Sequence, residues 1–241
     1  MRPTAGIPFP MIKLTILVPA YNEEATILEI LGRVAKQEIG GVEFEVLVVD
    51  DGSTDKTVEL LEQNPGLYTR LIKMPRNGGK GWAVKAGLKE ATGDYVLFQD
   101  ADLEYDPNEY EKLLKPVLDF DADIVMGSRL TASPCTRVSY FWHKVGNRLM
   151  TFIFNLFNNT TFTDIYSCYL LYRRGLVNAD DLVTTGWEQQ AEILSRAVAK
   201  AKTMYEVPIS YYGRTYDEGK KIKAYHAIAI VWTIVLRRFV R

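Results

Sequence analysis

Over the first half of the chain, short apolar runs rich in branched side chains alternate with longer stretches in which apolar positions recur every three or four residues. The short runs predict strands at Leu14 to Val18, Phe44 to Asp50, Arg70 to Met74, Tyr95 to Gln99 and Ile124 to Gly127. The longer ones predict helices near Glu24 to Gln37, Lys56 to Gln63, Gly79 to Ala91 and Pro107 to Leu118. This alternation is that of an α/β fold with a mostly parallel central sheet and helices on both faces, doubly wound at least for the first half. Beyond Arg129 the pattern changes. Tyr140 to Phe157 reads as a long aromatic, amphipathic helix, followed by a strand near Cys168 to Tyr172, a helix from Glu188 to Ala201 and a strand from Met204 to Ser210.

In such a sheet, ligands bind beyond the carboxyl ends of the strands. The first strand runs into Pro19-Ala20-Tyr21-Asn22-Glu23, the second into Asp50-Asp51-Gly52-Ser53-Thr54-Asp55 and the fourth into Asp100-Ala101-Asp102-Leu103-Glu104. Three polar clusters are therefore expected on one edge. Asp100 and Asp102, two positions apart, point to the same side if extended geometry persists. Such a pair suits Mg²⁺ or Mn²⁺, with Glu104 as a third oxygen ligand on the same alternation. Solvated loop carboxylates are the plain alternative. Asp50 and Asp51 could accept hydrogen bonds from a ribose or base, or Asp51 and Ser53 could only cap the next helix. Two adjacent acids exceed what capping requires, so the capping alternative is weaker for Asp50. Asn77-Gly78-Gly79-Lys80-Gly81 opens a helix with backbone N–H groups that suit phosphate, without the full phosphate-loop pattern. Lys80 there either serves the ligand or is a solvated charge.

Composition narrows the choice. With 241 residues, 47% of them hydrophobic, the chain can bury a substantial core, and nothing divides it, so a single domain is expected over 1–241. The 29 basic and 30 acidic residues nearly cancel, which gives no reason to expect a nucleic-acid partner. Cys135 and Cys168 are too few for a disulfide framework or a zinc site. Residues 1–10 read as a flexible lead-in without a signal-peptide pattern, and a cytoplasmic setting is the plain expectation. Two Asn-x-Thr sequons at Asn158 and Asn159 carry little weight in that setting. No stretch reaches the roughly 18 to 20 apolar residues of a membrane span. The nearest, Ala224 to Leu236 within a basic and apolar helix over 221–241, lies between Lys220, Lys221, Lys223 and Arg237, Arg238, Arg241. It suits either a lipid headgroup surface, giving peripheral contact at the cytoplasmic face of a membrane, or a buried helix with basic ends.

Val18-Pro19-Ala20-Tyr21-Asn22-Glu23, Val49-Asp50-Asp51-Gly52-Ser53-Thr54-Asp55, Asp100-Ala101-Asp102 and Gly127-Ser128-Arg129 follow the order and spacing of family-two glycosyltransferases, which the chain resembles over most of its length. The resemblance implies the GT-A fold, Rossmann-like, and a nucleotide-sugar donor. The segment Glu206 to Lys221, with Thr163-Asp164 and Ser167-Cys168-Tyr169, is similar to the branch of dolichyl-phosphate mannose synthase and related polyprenyl-phosphate glycosyltransferases. By that resemblance Pro19, Tyr21, Glu23, Asp50 or Asp51, and Asp100 with Ala101 hold the nucleotide sugar. Asp100, Asp102 and Glu104 bind the metal, and Arg129, Arg214 and Lys220 face phosphates. Glu104 stands where that branch often has glutamine, and many members carry C-terminal membrane helices, against one short apolar segment at Ala224 to Leu236 here.

A polyprenyl phosphate acceptor is already ionised and attacks the sugar C1 without a strong base. Catalysis then falls to Asp102 with its metal and to Arg129, whose guanidinium gives bidentate contacts to a phosphate. A structural ion pair is the alternative for Arg129. Arg214, Lys220 and Lys221 lie on a glycine-containing loop that could close over the donor. Lys144, with His143 and Arg148, would meet an anionic lipid headgroup while Phe141, Trp142, Phe152 and Phe154 face the isoprenoid; a core helix with wet basic residues is the alternative. Glu188, sharing a helical face with Glu192, is the one base to nominate for a hydroxyl acceptor. GDP-mannose is the favoured donor, UDP-glucose and other UDP-hexoses follow, and inversion is implied by the family alone. The competing readings are a transferase acting on a saccharide or protein hydroxyl with a UDP-sugar, and a silent binding module, which the intact acids disfavour. A dehydrogenase lacks its Gly-x-Gly-x-x-Gly turn.

Overall fold

The computed structural model describes residues 11–131, 137, 141–213 and 226–239. Among these residues seven strands form one sheet: β1 (Ile12–Ala20), β2 (Val42–Asp50), β3 (Arg70–Lys73), β4 (Tyr95–Phe98), β5 (Ile124–Ser128), β6 (Leu170–Arg173) and β7 (Met204–Pro208), in the order β3-β2-β1-β4-β6-β5-β7. Neighbours pair in parallel except β6, which runs antiparallel to both β4 and β5. The doubly wound expectation therefore holds for β3-β2-β1-β4. The strand near Cys168 to Tyr172 is present, but its reversed direction was not readable, because a buried antiparallel strand such as Leu170-Leu171-Tyr172 carries the same unbroken apolar run as a parallel one.

Among the described residues, seven α-helices accompany the sheet: α1 (Ile27–Ala35), α2 (Thr57–Gln63), α3 (Lys80–Glu90), α4 (Tyr110–Phe120), α5 (Phe141–Asn158), α6 (Gln189–Val198) and α7 (His226–Phe239). α1 buries Ile27, Ile30, Leu31 and Val34, the spacing of one helical face. α3 lies close enough that a Cβ on Gly87 would meet Leu17 and Val49. Tyr110 of α4 packs on Phe44, 6.3 Å between ring centroids. Phe44 and Val49 are five residues apart on β2 and so face opposite sides. Helices thus cover both faces, as expected.

The second half is built differently. α5 buries only Thr151 and Phe154, while Phe141, Trp142, Val145, Leu149, Phe152 and Leu156 stay exposed, Trp142 to 76%. α7 packs against α5 and α6, burying Ile230, Thr233 and Ile234, with Arg237 3.2 Å from buried Glu192. Of the two readings of the C-terminal helix, packing on the body is the one observed, and Trp232 remains on its outer side. Among the described residues no helix is long and apolar enough to cross a membrane.

Candidate active site

The loops after β1 and β2 are stitched together. Asn22, at φ 52°, donates its N–H to Ser53 Oγ at 2.9 Å and accepts from the Thr54 N–H at 2.8 Å. Glu23 N–H donates to Thr57 Oγ1 at 2.9 Å, and Asp51 N–H to the Ala20 carbonyl at 2.8 Å. Gly52 turns at φ 71° where a Cβ would lie 2.6 Å from the Arg76 carbonyl carbon, so the position admits only glycine.

The adjacent acids divide their work. Asp50 accepts from the N–H groups of Gly52 and Ser53, both 3.1 Å from Oδ2, and closes its own turn. Asp51 reaches across to the glycine-rich entry of α3, accepting from Gly78 and Gly79 at 2.9 and 2.8 Å. Burial, then the charge of Asp50, pushes the Asp51 carboxyl above its ordinary value against those two hydrogen bonds. Neither acid caps α2, which starts at Thr57 without a side-chain cap: Asp50 serves the turn, and Asp51 borders the cavity beside it.

That cavity, about 680 Å³, is the feature to which the strand ends converge. One end is formed by Pro19, Tyr21, Glu23, Asp51, Lys80, Asp100, Ala101, Asp102 and Glu104. Lys80 is no solvated charge. Its ammonium pairs with Asp100, and although burial opposes its charge, the Asp100 carboxylate holds it above the ordinary lysine range. Asp102, 8% exposed, accepts from the Glu104 N–H at 3.0 Å.

Among the described residues, no three His, Cys, Asp or Glu side chains converge as a metal-ligand group. Glu104 accordingly does not complete a ligand set with Asp100 and Asp102; its carboxylate accepts from Tyr211 Oη at 3.0 Å. The two aspartates still fit Mg²⁺ or Mn²⁺, because a hard cation needs only one or two carboxylates when a diphosphate supplies further oxygens.

Arg129 borders the cavity in the buried ion pair given above as its structural alternative. Its Nε and Nη2 donate to Asp164 Oδ2 and Oδ1 at 2.7 and 2.9 Å, and Nη1 donates to Tyr105 Oη at 3.2 Å. The guanidinium lies 4.9 Å over the Tyr211 ring. Asn147 of α5 donates to the same Asp164 at 2.8 Å. Burial opposes ionisation of Asp164, and the neighbouring Arg129 outweighs it, so its carboxyl sits below the ordinary range. Neither Asp164 nor Tyr105 was identified from sequence as Arg129's partner, since 35 residues separate the charges of the pair.

The other end of the cavity belongs to α5, through Trp142, His143, Lys144, Asn147 and Met150. Phe154 is not part of it: that ring is wholly buried and packs on Phe162, 6.3 Å away. Glu188 is bonded back to the Gly186 N–H at 3.2 Å, and Glu192 is buried against Val183, Thr184 and Arg196. Trp187 and Gln189, which the sequence reading passed over, do border the cavity. Arg214, Lys220 and Lys221 lie outside the described residues, as do 1–10.

The profile of Glycosyl transferase family 2 matches residues 15–180, well over half of the chain. The chain belongs to this family. A low-salt glycan biosynthesis hexosyltransferase, Agl6 of Haloferax volcanii, is 32% identical over 203 residues, 83% of this chain and 48% of that protein. An undecaprenyl-phosphate 4-deoxy-4-formamido-L-arabinose transferase of Enterobacter sp. is 29% identical over 213 residues, covering 86% of this chain and 62% of that protein. The family 2 chain thus spans about half to three-fifths of the length of these curated relatives. Glucosyl-3-phosphoglycerate synthase from Mycobacterium tuberculosis, solved with Mn²⁺, UDP-glucose and phosphoglyceric acid, superposes with a TM-score of 0.71 at 20% identity over 100% of this chain and 86% of that one. TarS of Staphylococcus aureus with UDP-GlcNAc gives a TM-score of 0.61 at 20% identity, over 93% of this chain and 67% of that one. At such identity the likeness establishes the fold, that of the GT-A glycosyltransferases.

Proposed function

We propose that this glycosyltransferase moves a hexose from a nucleotide sugar to a polyprenyl phosphate, with inversion at C1. The observation that carries the reading is a single cavity joining two chemistries. An acid and lysine end at Asp51, Lys80, Asp100 and Asp102 meets an aromatic and basic end at Trp142, His143 and Lys144, which continues onto the exposed apolar stripe of α5. The first end suits a nucleoside diphosphate; the second suits an anionic headgroup on an isoprenoid chain. The relative whose name includes undecaprenyl phosphate supports the acceptor class. Mannose from GDP-mannose is the first candidate on the branch resemblance, with UDP-hexoses next.

In this scheme an acceptor phosphate oxygen forms the bond to C1 while the bond from C1 to the diphosphate oxygen breaks, its electron pair leaving with the nucleoside diphosphate. No proton has to be removed, so the scheme needs no base, and the Glu188 carboxylate is bonded back to the Gly186 N–H. Mg²⁺ or Mn²⁺, held by Asp100 and Asp102, would supply charge neutralisation for the leaving group. Lys80, already facing Asp100, adds positive charge at the same end, and Lys144 counters the acceptor phosphate. Arg129, fixed by Asp164, offers a preorganised guanidinium edge. Arg214 and Lys220 are assigned to phosphates by resemblance. The α5 stripe gives peripheral contact with the cytoplasmic face of a membrane.

The test is transfer from a panel of radiolabelled nucleotide sugars to a short polyprenyl phosphate, with Asp102→Ala as control. Metal-dependent passage of label into the organic phase, lost in the variant, is expected with one donor. Turnover only with a soluble glycan would overturn the acceptor assignment while leaving a family 2 enzyme.

A further inference from the structure

Trp187 borders the cavity at its charged end, and the Lys80 ammonium lies 5.9 Å from its ring centroid. The strap that carries it, between the loop after β6 and α6, is clamped on several sides. Gln189 Nε2 donates to the carbonyls of Gly81 and Thr184, and Gln190 Nε2 to those of Ile165 and Ser167. Wholly buried Glu192 accepts from the N–H groups of Val183 and Thr184 at 3.1 and 2.9 Å and from Thr184 Oγ1 at 2.6 Å. Where the strap crosses α3, a Cβ on Gly81 would sit 2.4 Å from the Thr185 carbonyl carbon. The backbone on both sides of Trp187 is therefore fixed against two different elements.

Fixing an aromatic this firmly beside Lys80, Asp100 and Asp102 suits a ligand that changes character there. Phosphates need cations, and Lys80 at the glycine-rich entry to α3 provides one, while the Gly78 and Gly79 N–H groups are held by Asp51. A pyranose next to those phosphates presents a face of C–H bonds to an aromatic ring. Its C1 also gains positive charge as the diphosphate departs, which a π face stabilises as it does a cation. Aromatic walls with a few placed polar groups are the usual way a site fixes a small ligand.

We infer that Trp187 is the platform for the transferred sugar ring and a determinant of hexopyranose selection. This rests on the nucleotide-sugar donor proposed above and not on the identity of the acceptor.

The experiment is calorimetric binding of GDP-mannose and UDP-glucose, each beside its free nucleoside diphosphate, with Mn²⁺ present, to the wild type and to Trp187→Phe, Trp187→Leu and Trp187→Ala. Melting curves report folding, and Leu keeps apolar bulk without a π face should Ala unfold. For the donor that binds the wild type, Leu and Ala are expected to weaken the nucleotide sugar about tenfold. The free diphosphate should change less than about twofold, and Phe should keep the sugar within about threefold. Unchanged sugar affinity in the folded Leu variant, or equal losses for sugar and diphosphate, would overturn the platform while leaving the donor reading intact. Failure of the wild type to bind any nucleotide sugar would overturn both.

Discussion

The acids after β2 and those after β4 look alike in sequence, two carboxylates following a buried strand, yet the structure engages them differently. Asp50 and Asp51 are held by backbone N–H groups, from Gly52 and Ser53 in one case and from Gly78 and Gly79 in the other. Asp100 is paired with a side-chain cation, Lys80, and Asp102 accepts from the Glu104 N–H. Backbone partners fix the shape of a loop, whereas a lysine on a flexible stem can shift when another cation or a diphosphate arrives. Position at a strand end therefore selects the candidates, and the partner of each carboxylate assigns its work.

The largest effect is expected at the acids proposed to hold the metal. Asp102→Asn keeps an acceptor for the Glu104 N–H but removes the charge, and transfer should fall about 10³-fold, about 4 kcal/mol of barrier, with little change in melting temperature. Activity above a tenth of wild type would place Asp102 with the loop-shaping acids instead. Next comes the pair of Arg129 with fully buried Asp164. Asp164→Asn leaves the Arg129 guanidinium without its counter-charge and should cost about 3 kcal/mol in denaturant unfolding. Replacing both partners, as Arg129→Met with Asp164→Leu, should recover much of that stability. Transfer that recovered with it would limit Arg129 to architecture, while transfer that stayed low would keep it in the site.

Glu45, five residues before Asp50 on β2, extends the comparison into the body of the strand. It accepts from Thr15 Oγ1 and from the N–H of Thr92 at 2.9 Å, and lies 3.3 Å from the Lys13 ammonium. Burial works against its charge, but these partners together pull the carboxyl down from 4.5 to about 2. A depressed carboxyl stabilises the fold above its unfolded pKa and loses that contribution as pH falls towards the folded one. Between about pH 5 and pH 2, Glu45 should surrender about 2 to 3 kcal/mol. The measurement is unfolding of wild type and Glu45→Gln at several pH values, and parallel pH curves for the two would remove the claim.

How much of this was legible in the sequence follows the same division. The central strands and helices such as α1 were readable because burial on both faces of a sheet, or one face of a helix, leaves a local pattern such as Ile27, Ile30, Leu31 and Val34. The meeting of Pro19, Asp51 and Asp102 at one edge followed from the strand-end rule. Pairings across long separations were not readable. Arg129 with Asp164, Lys80 with Asp100 and Glu104 with Tyr211 each join residues 20 or more positions apart, and no local spacing marks them. The same limit hid the burial of Phe154, which shares its composition with the exposed Phe152 two residues away.

The smallest expected effect falls on Asp51, and it separates shape from chemistry within one residue. Unlike Glu45, its carboxyl is pushed up, by burial first and by Asp50. An acid whose folded pKa exceeds its unfolded value contributes less stability as pH rises past the unfolded pKa, so ionised Asp51 is a cost at neutral pH. Asp51→Asn removes that cost and loses one of two backbone hydrogen bonds, worth about 1 kcal/mol. The two changes oppose each other, and stability at pH 7 should move by less than about 1 kcal/mol. Binding of the nucleoside diphosphate should still weaken, because the Asn77 to Gly79 entry is held by that carboxylate and both border the cavity. A loss of stability near 3 kcal/mol with unchanged nucleotide binding would make Asp51 a brace for the loop and nothing more.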